Sequence, residues 1–372
     1  MKGFALENPI PYLSILLPIG LSFHTFQAMS YTIEVYRGNQ KAERHFGIYS
    51  LYVMFYPQLV AGPIERPQNL LHQFREKYDF NYNRVVEGLK LMLWGLFKKL
   101  VIADRLAIYV NTVYNNPEHH SGYSFMLATV FFAIQIYCDF SGYSEIAIGT
   151  AKVMGFKLMT NFNRPYFSRN ISEFWKRWHI SLSTWFKDYL YISLGGNRVT
   201  TSRLYLNLFI VFVVSGLWHG ANWTYLIWGA INGFYLVFAI ISKNTRNKFN
   251  KLIGLDRLPR IHNGIQISIT FVLACFAWIF FRANNVQDAF SIIKKIFEPK
   301  GSLFIDNSTL FYSFIAISIL FLIESKKEYY KGHFSFLENK SWLIRNLTYA
   351  SLIIIILIMG VFDGGQFIYF QF

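Results

Sequence analysis

The residue best placed to do chemistry is His219, which follows an apolar run and lies between Gly216 and Gly220 at a predicted helical turn. A helix that begins at Leu204 rises about 22 Å by His219, whereas the hydrocarbon core of a bilayer is about 30 Å thick. His219 is therefore expected inside the membrane, where an ionisable side chain indicates a functional site. The alternative is a structural histidine whose neutral ring hydrogen-bonds a backbone carbonyl across a close helix contact.

His179 is the second candidate, and it lies in a segment of aromatic and basic residues that runs from Trp175 to Ser183. The cationic surroundings favour the neutral imidazole, which can accept a proton. On these residues alone, an interfacial histidine whose ring reaches the lipid head groups is the simpler interpretation. A catalytic role for His179 therefore needs further support.

A third cluster, the stretch DFSGYSE that begins at Asp139, follows the apolar run 123–138. Its carboxylates could orient a histidine or bind a cation, but Asp139 or Ser141 could equally cap the next helix, which is the simpler interpretation. The stretch has no G-x-S-x-G elbow, so a serine hydrolase is not supported. Cys138 and Cys275 lie in apolar runs without metal-like spacing, so neither a disulfide nor a metal site is predicted.

The elements that position these residues are predicted to be membrane helices. Only 15% of the 372 residues are charged and 53% are hydrophobic, whereas a soluble domain carries about 25% charged residues. The composition predicts an all-α, polytopic membrane protein and excludes disordered and nucleic-acid-binding proteins. Apolar runs lie near 10–33, 46–60, 88–110, 123–138, 204–218, 223–241, 264–281, 308–323 and 346–362. Several are shorter than the roughly 20 residues of a spanning helix, which predicts tilted, broken or re-entrant helices around a cavity.

The net charge of +15 is concentrated in loops that the positive-inside rule places in the cytoplasm, next to anionic lipid. These loops are 161–203 and 243–260. The first is predicted to form one or two amphipathic helices at the bilayer surface, beginning at Ser172. The segment 88–110, with charges among its apolar residues, is predicted to be another interfacial helix.

Several ordered motifs resemble those of the membrane-bound O-acyltransferase superfamily, in particular its bacterial branch of alginate O-acetylation proteins. The main motifs are LPIGLSFHTFQ (17–27), YPQLVAGPI (56–64), DFSGYS (139–144), FWKRWHISLS (174–183) and GLWHGA (216–221). Smaller ones are FFRA (280–283) and FIYFQF (367–372). They extend over nearly the whole chain, so a chance match is improbable.

The resemblance implies that His219 is the family's catalytic histidine and His179 its second histidine, in a many-helix fold with a tunnel through the membrane. It implies transfer of an acyl group, expected to be acetyl, from a cytoplasmic thioester such as acetyl-coenzyme A or an acyl carrier. The acceptor would be a hydroxyl of an extracytoplasmic polysaccharide or of a periplasmic partner transferase, and no cofactor would be bound. The alternatives are D-alanyl transfer to teichoic acid and, in another class, a non-enzymatic exporter of polysaccharide or lipid.

Further residues in or next to these motifs are expected to bind substrate. They are Asp139, Ser141, Tyr143, Arg177, Trp178, Trp218 and Asn222. The Asn222 amide, or backbone N–H groups near Gly220, would stabilise the developing oxyanion. Residues 1–372 are expected to form a single domain of the inner membrane, without a cleaved signal and without the additional spans that family members carry upstream.

Overall fold

The fold is built from α-helices. A computed structural model describes residues 21–59, 62–330, 339 and 341–362, and these residues form no strand. The α-helices in chain order are α1 (Leu21–Tyr36), α2 (Phe46–Val53), α3 (Pro67–Leu70), α4 (Tyr82–Leu96), α5 (Asp104–Tyr114), α6 (Gly122–Met154), α7 (Ile171–Arg177), α8 (Ile180–Trp185), α9 (Thr201–His219), α10 (Trp223–Ile241), α11 (Lys243–Leu252), α12 (Pro259–Arg282), α13 (Val286–Phe297), α14 (Asn307–Tyr329) and α15 (Trp342–Met359). Some of the predicted segments lie outside the described residues. They are the first part of the apolar run 10–33, up to residue 20, and the motif residues 17–20, 60–61 and 367–372.

Six of the described helices are long and apolar enough to cross a membrane, which confirms the prediction of a polytopic all-α protein. They are α6, α9, α10, α12, α14 and α15. Each of these helices other than α10 begins before or ends after the apolar run that predicted it, and α6 continues for 16 residues past position 138. The short runs 123–138, 204–218 and 308–323 therefore do not mark short or broken helices. Run 46–60 does, because it forms the eight-residue α2 and then a 3-10 turn at Tyr56–Gln58.

Helix α6 lies beside α4 in an antiparallel contact made by glycines. Gly88 of α4 lies opposite Gly149, and Gly95 lies opposite Gly142. A Cβ atom built on Gly142 would lie 2.8 Å from the carbonyl oxygen of Gly95, a distance that real Cβ atoms do not tolerate. Small residues allow this close approach of helix backbones, as is common between membrane helices.

Segment 97–103 joins α4 to α5 as a π-helical turn and continues antiparallel along α6. The Lys98 side chain is only 2% exposed, and its Nζ lies 2.9 Å from Glu145. Lys99 Nζ lies 2.6 Å from Asp139 and 2.7 Å from Asp104. The prediction of an interfacial helix over 88–110 is therefore wrong for the part that contains Lys98 and Lys99. Both lysines lie between packed helices, where they form ion pairs with carboxylates.

The same contacts decide between the interpretations of Asp139 and Ser141. Both residues lie in the middle of α6, so the capping interpretation is wrong. Asp139 accepts a hydrogen bond from Lys99 Nζ, and Ser141 Oγ accepts one from Lys98 Nζ at 3.3 Å. The cluster binds cations, and those cations are lysines of this chain.

The segment between α6 and α9 contains the two short helices that were predicted, but it is buried. Helix α7 begins after Asn170, whose Oδ1 accepts a hydrogen bond from the backbone N–H of Glu173 at 2.9 Å, and not at Ser172. Phe174, Trp178 and Trp185 are each at most 6% exposed. Placement at the bilayer surface is therefore wrong for this part of the segment, because its aromatic side chains pack into the protein core.

Candidate active site

His219 is the last residue of α9, at the turn into α10, and its side chain is buried. The backbones of α9 and α10 approach each other closely at this turn, because Gly216 faces the backbone carbonyl of Tyr225, where a Cβ atom would collide. The imidazole lies edge-on to Trp228 and Phe281, with ring centroids 5.2 and 5.1 Å away. The predicted position of His219, at the buried end of the first hairpin helix, is confirmed.

His179 lies between α7 and α8 in a left-handed backbone conformation, with φ 42° and ψ 56°. This conformation costs a residue other than glycine about 1–3 kcal/mol and persists only where the surroundings impose it. Backbone hydrogen bonds on both sides of His179 impose this conformation. On one side, Ile180 N donates to Asn161 O at 2.9 Å. On the other side Asn163 N donates to Arg177 O at 2.9 Å.

The ring of His179 is 2% exposed. It lies edge-on to Phe140, near the middle of α6, with ring centroids 4.5 Å apart. The interpretation of His179 as a residue that reaches lipid head groups is therefore wrong. Burial lowers the pKa of His179 well below its ordinary value, and the neighbouring His219 lowers this pKa further, so the ring is neutral at pH 7.

Both histidines line one cavity of about 400 Å³. Much of its wall is apolar and includes Trp178, Phe186 and Phe212. The lining also includes the exposed residues Lys176, Lys187 and Asn197. The cavity therefore combines two buried imidazoles with a basic rim that reaches the surface of the protein.

The other predicted substrate-binding residues lie in different surroundings. Trp178 is part of the cavity wall. Trp218 is adjacent to His219 and stacks on Phe26 with centroids 5.2 Å apart. Tyr143 packs against the apolar cluster that contains Phe23 and Phe140. Asp139 and Ser141 belong to the lysine cluster described above, so the structure places both away from the cavity wall.

Arg177 and Asn222 have structural contacts that their predicted roles did not include. Arg177 donates to Glu173 at 2.7 Å and to Glu328 at 2.9 Å. Asn222 is the N-cap of α10, where its Oδ1 accepts a hydrogen bond from Thr224 N at 3.1 Å. The backbone N–H of Gly220 already donates to Leu217 O. The cap uses only the carbonyl oxygen of Asn222, and the amide nitrogen of this side chain lies 3.5 Å from Asn284 O. The role of the Asn222 amide as an oxyanion donor therefore stays a prediction, whereas the Gly220 N–H is engaged in the turn.

Sequence reasoning did not identify Asn161. This residue is fully buried, and its Oδ1 lies 3.2 Å from His179 Nδ1. Asn161 precedes His179 by 18 positions, in a loop without a recognisable pattern, so no spacing signal pointed to it. Only the folding of this loop against the start of α8 brings the two side chains together.

Comparison with known proteins agrees with this architecture. Residues 40–283 match the family model of MBOAT, the membrane-bound O-acyltransferase family, and the chain belongs to this family. The matched region contains both histidines and the helices that position them. The predicted resemblance is thereby confirmed.

The chain is also similar to curated relatives. It is 43% identical over 290 residues to "Probable alginate O-acetylase AlgI" of Pseudomonas aeruginosa, covering 78% of this chain and 53% of the relative. It is 37% identical over 308 residues to "Peptidoglycan O-acetyltransferase" of Helicobacter pylori, covering 76% and 57%. "Teichoic acid D-alanyltransferase" of Streptococcus thermophilus is 31% identical over 292 residues, covering 72% and 69%. The chain thus spans just over half the length of the first two relatives.

Proposed function

We propose that this protein transfers an acyl group, expected to be acetyl, from a thioester to a hydroxyl in the cavity shared by His179 and His219. The observation that carries the proposal is that two buried histidines from separate segments line one cavity inside a membrane-embedded fold. Family membership supports it, as do the names of the relatives, two of which describe O-acetylation of a polymer.

The proposed reaction is a direct acyl transfer with general-base catalysis. A neutral imidazole accepts the proton of the hydroxyl while the oxygen attacks the thioester carbonyl carbon. The new C–O bond forms, the C–S bond breaks, and the leaving sulfur receives the proton, so atoms and charge balance. A positioned base of this kind contributes about 10²–10⁴-fold to the rate. The apolar walls exclude water, which would otherwise hydrolyse the thioester.

The donor is assigned from the basic rim of the cavity. Lys176 and Lys187 are exposed, and both belong to the cavity lining. They suit the phosphates of coenzyme A or of a carrier-bound phosphopantetheine, since lysine binds phosphate as a point charge. By the positive-inside rule this rim would face the cytoplasm, so the protein would lie in the inner membrane. The proposed acceptor, a polysaccharide or a partner transferase, would then lie on the opposite side.

A second candidate is D-alanyl transfer from a carrier-protein thioester, which the similarity to the Streptococcus thermophilus protein favours. This reaction uses the same thioester chemistry and the same basic rim, and it differs in the acyl group. The alternative from another class is an exporter of polysaccharide or lipid, which needs no base in the cavity.

Mass spectrometry of the cell-surface polymer tests the proposal, with cells that carry either the original protein or the His219→Ala variant. Loss of polymer acylation is expected in the variant, with protein level and polymer amount unchanged. The mass added to the polymer also distinguishes an acetyl group from a D-alanyl group. Normal acylation together with a fall in the amount of polymer would favour the exporter and contradict the proposal.

A further inference from the structure

The hydrogen bonds around Asn161 fix the orientation of its side-chain amide. Its Oδ1 lies 3.2 Å from the backbone nitrogen of Ser181 and 2.9 Å from Ser181 Oγ. A backbone N–H can only donate, so the atom that faces it must be the carbonyl oxygen of the amide. The amide nitrogen then faces Ser144 and donates to its Oγ at 3.0 Å. This orientation follows from the partners on both sides of the amide.

This orientation fixes the proton on His179 as well. His179 Nδ1 lies 3.2 Å from Asn161 Oδ1, an atom that can only accept. An unprotonated Nδ1 would face this acceptor lone pair to lone pair in a fully buried site, which is unfavourable. The Ser181 hydroxyl does not relieve this repulsion, because its Oγ lies 3.5 Å from His179 Nδ1 and donates instead to Asn161 Oδ1 at 2.9 Å. Nδ1 therefore carries the hydrogen, and the neutral ring has its lone pair on Nε2.

His179 Nε2 is buried and has no hydrogen-bond partner within the described ranges 21–59, 62–330, 339 and 341–362. The ring also lines the cavity. We infer that Asn161 is a positioning residue that holds His179 as the Nδ1–H tautomer and leaves Nε2 as the acceptor for the hydroxyl proton. This inference rests on the proposed function for the identity of that proton, while the tautomer itself does not depend on it.

The position of Asn161 is coupled to α6. Ser144 on α6 accepts from Asn161 Nδ2, and Phe140, one turn earlier on the same helix, contacts the His179 ring. The lysine cluster, through Lys98 and Glu145, fixes this same part of α6. The tautomer of His179 is thus set by one side chain, whose own orientation depends on the helix behind it.

The experiment is nitrogen NMR on the full chain in lipid nanodiscs with ¹⁵N-labelled histidine, with the His179 signals identified by their loss in His179→Gln. The Nδ1–H tautomer is expected in the original protein. Asn161→Leu, which has a similar volume but no acceptor, is expected to change the tautomer and to lower kcat by at least ~10². The KM for the donor thioester is expected to change little. Asn116→Leu is the matched control, because it makes the same replacement at an exposed side chain outside the cavity lining, so both tautomer and kcat should be retained.

An Nε2–H tautomer in the original protein overturns the inference, and this measurement needs no variant other than the one used to identify the His179 signals. A tautomer that Asn161→Leu leaves unchanged in folded protein also overturns it. If the original protein transfers no acyl group at all, the proposed function fails, and the NMR comparison still decides the role of Asn161. The failures of the two proposals are therefore distinguishable.

Discussion

Replacing His179 and His219 together is expected to slow acyl transfer no more than the more damaging of the two single replacements. Each single change to alanine should lower the rate by about 10²–10⁴, the usual contribution of a positioned base. The effects should not multiply, because the two rings line one cavity and residues that act as a unit are strongly non-additive. The rates are to be measured in proteoliposomes as ester formation from acetyl-coenzyme A.

The control for this comparison is His72→Ala, because the His72 side chain is 60% exposed and lies outside the cavity lining. Its rate should match that of the original protein. Single effects that multiply in the double variant would mean that the histidines act in independent steps. That result would contradict the expectation that the two rings act as one unit in the shared cavity.

Replacing Lys98 with methionine is expected to destabilise the fold by about 3–5 kcal/mol, the usual cost of removing one partner of a buried ion pair. Lys98 Nζ lies 2.9 Å from Glu145 and 3.7 Å from Glu324, so two carboxylates would lose their buried cation. Unfolding can be followed with a thiol-reactive dye, since Cys138 is buried in the folded chain. The measurement is the shift in thermal unfolding of the protein in detergent.

A matched control comes from another ion pair of α6. Lys152 of α6 pairs with Glu87 of α4, but these side chains are 40% and 55% exposed, so Lys152→Met should cost less than about 1 kcal/mol. Adding Glu145→Gln and Glu324→Gln to Lys98→Met should recover part of the lost stability. Equal stability of the Lys98 and Lys152 variants would show that the buried cluster is not a main determinant of the fold.

The sequence carries a clear signal for the hairpin that positions His219. Two apolar runs separated by a glycine-flanked turn predict α9, α10 and the buried position of His219, and the structure confirms each. The length of α6 could not be predicted in this way. Glu145 and Asp139 of α6 form ion pairs with Lys98 and Lys99, which lie at least 40 positions earlier in the chain. Hydrophobic periodicity carries no information about such pairing.

The burial of His179 was also beyond sequence reasoning. Its neighbours Lys176 and Arg177 are typical of a membrane surface, and Lys176 is indeed exposed. The ring of His179, only three positions later, packs on Phe140 inside the protein. A left-handed backbone conformation at His179 turns the chain between α7 and α8. No residue type in this part of the sequence predicts that turn. Asn161 depends on the same folding, so its role follows only from the structure.

We propose that the donor acyl group reaches the buried cavity that both histidines line. The most direct measurement is an experimental structure with a thioether analogue of acetyl-coenzyme A bound. The acyl carbon is expected inside the cavity between His179 and His219, with the phosphates beside Lys176 and Lys187. An acyl group bound elsewhere, or either imidazole turned toward bulk solvent in that complex, would contradict it.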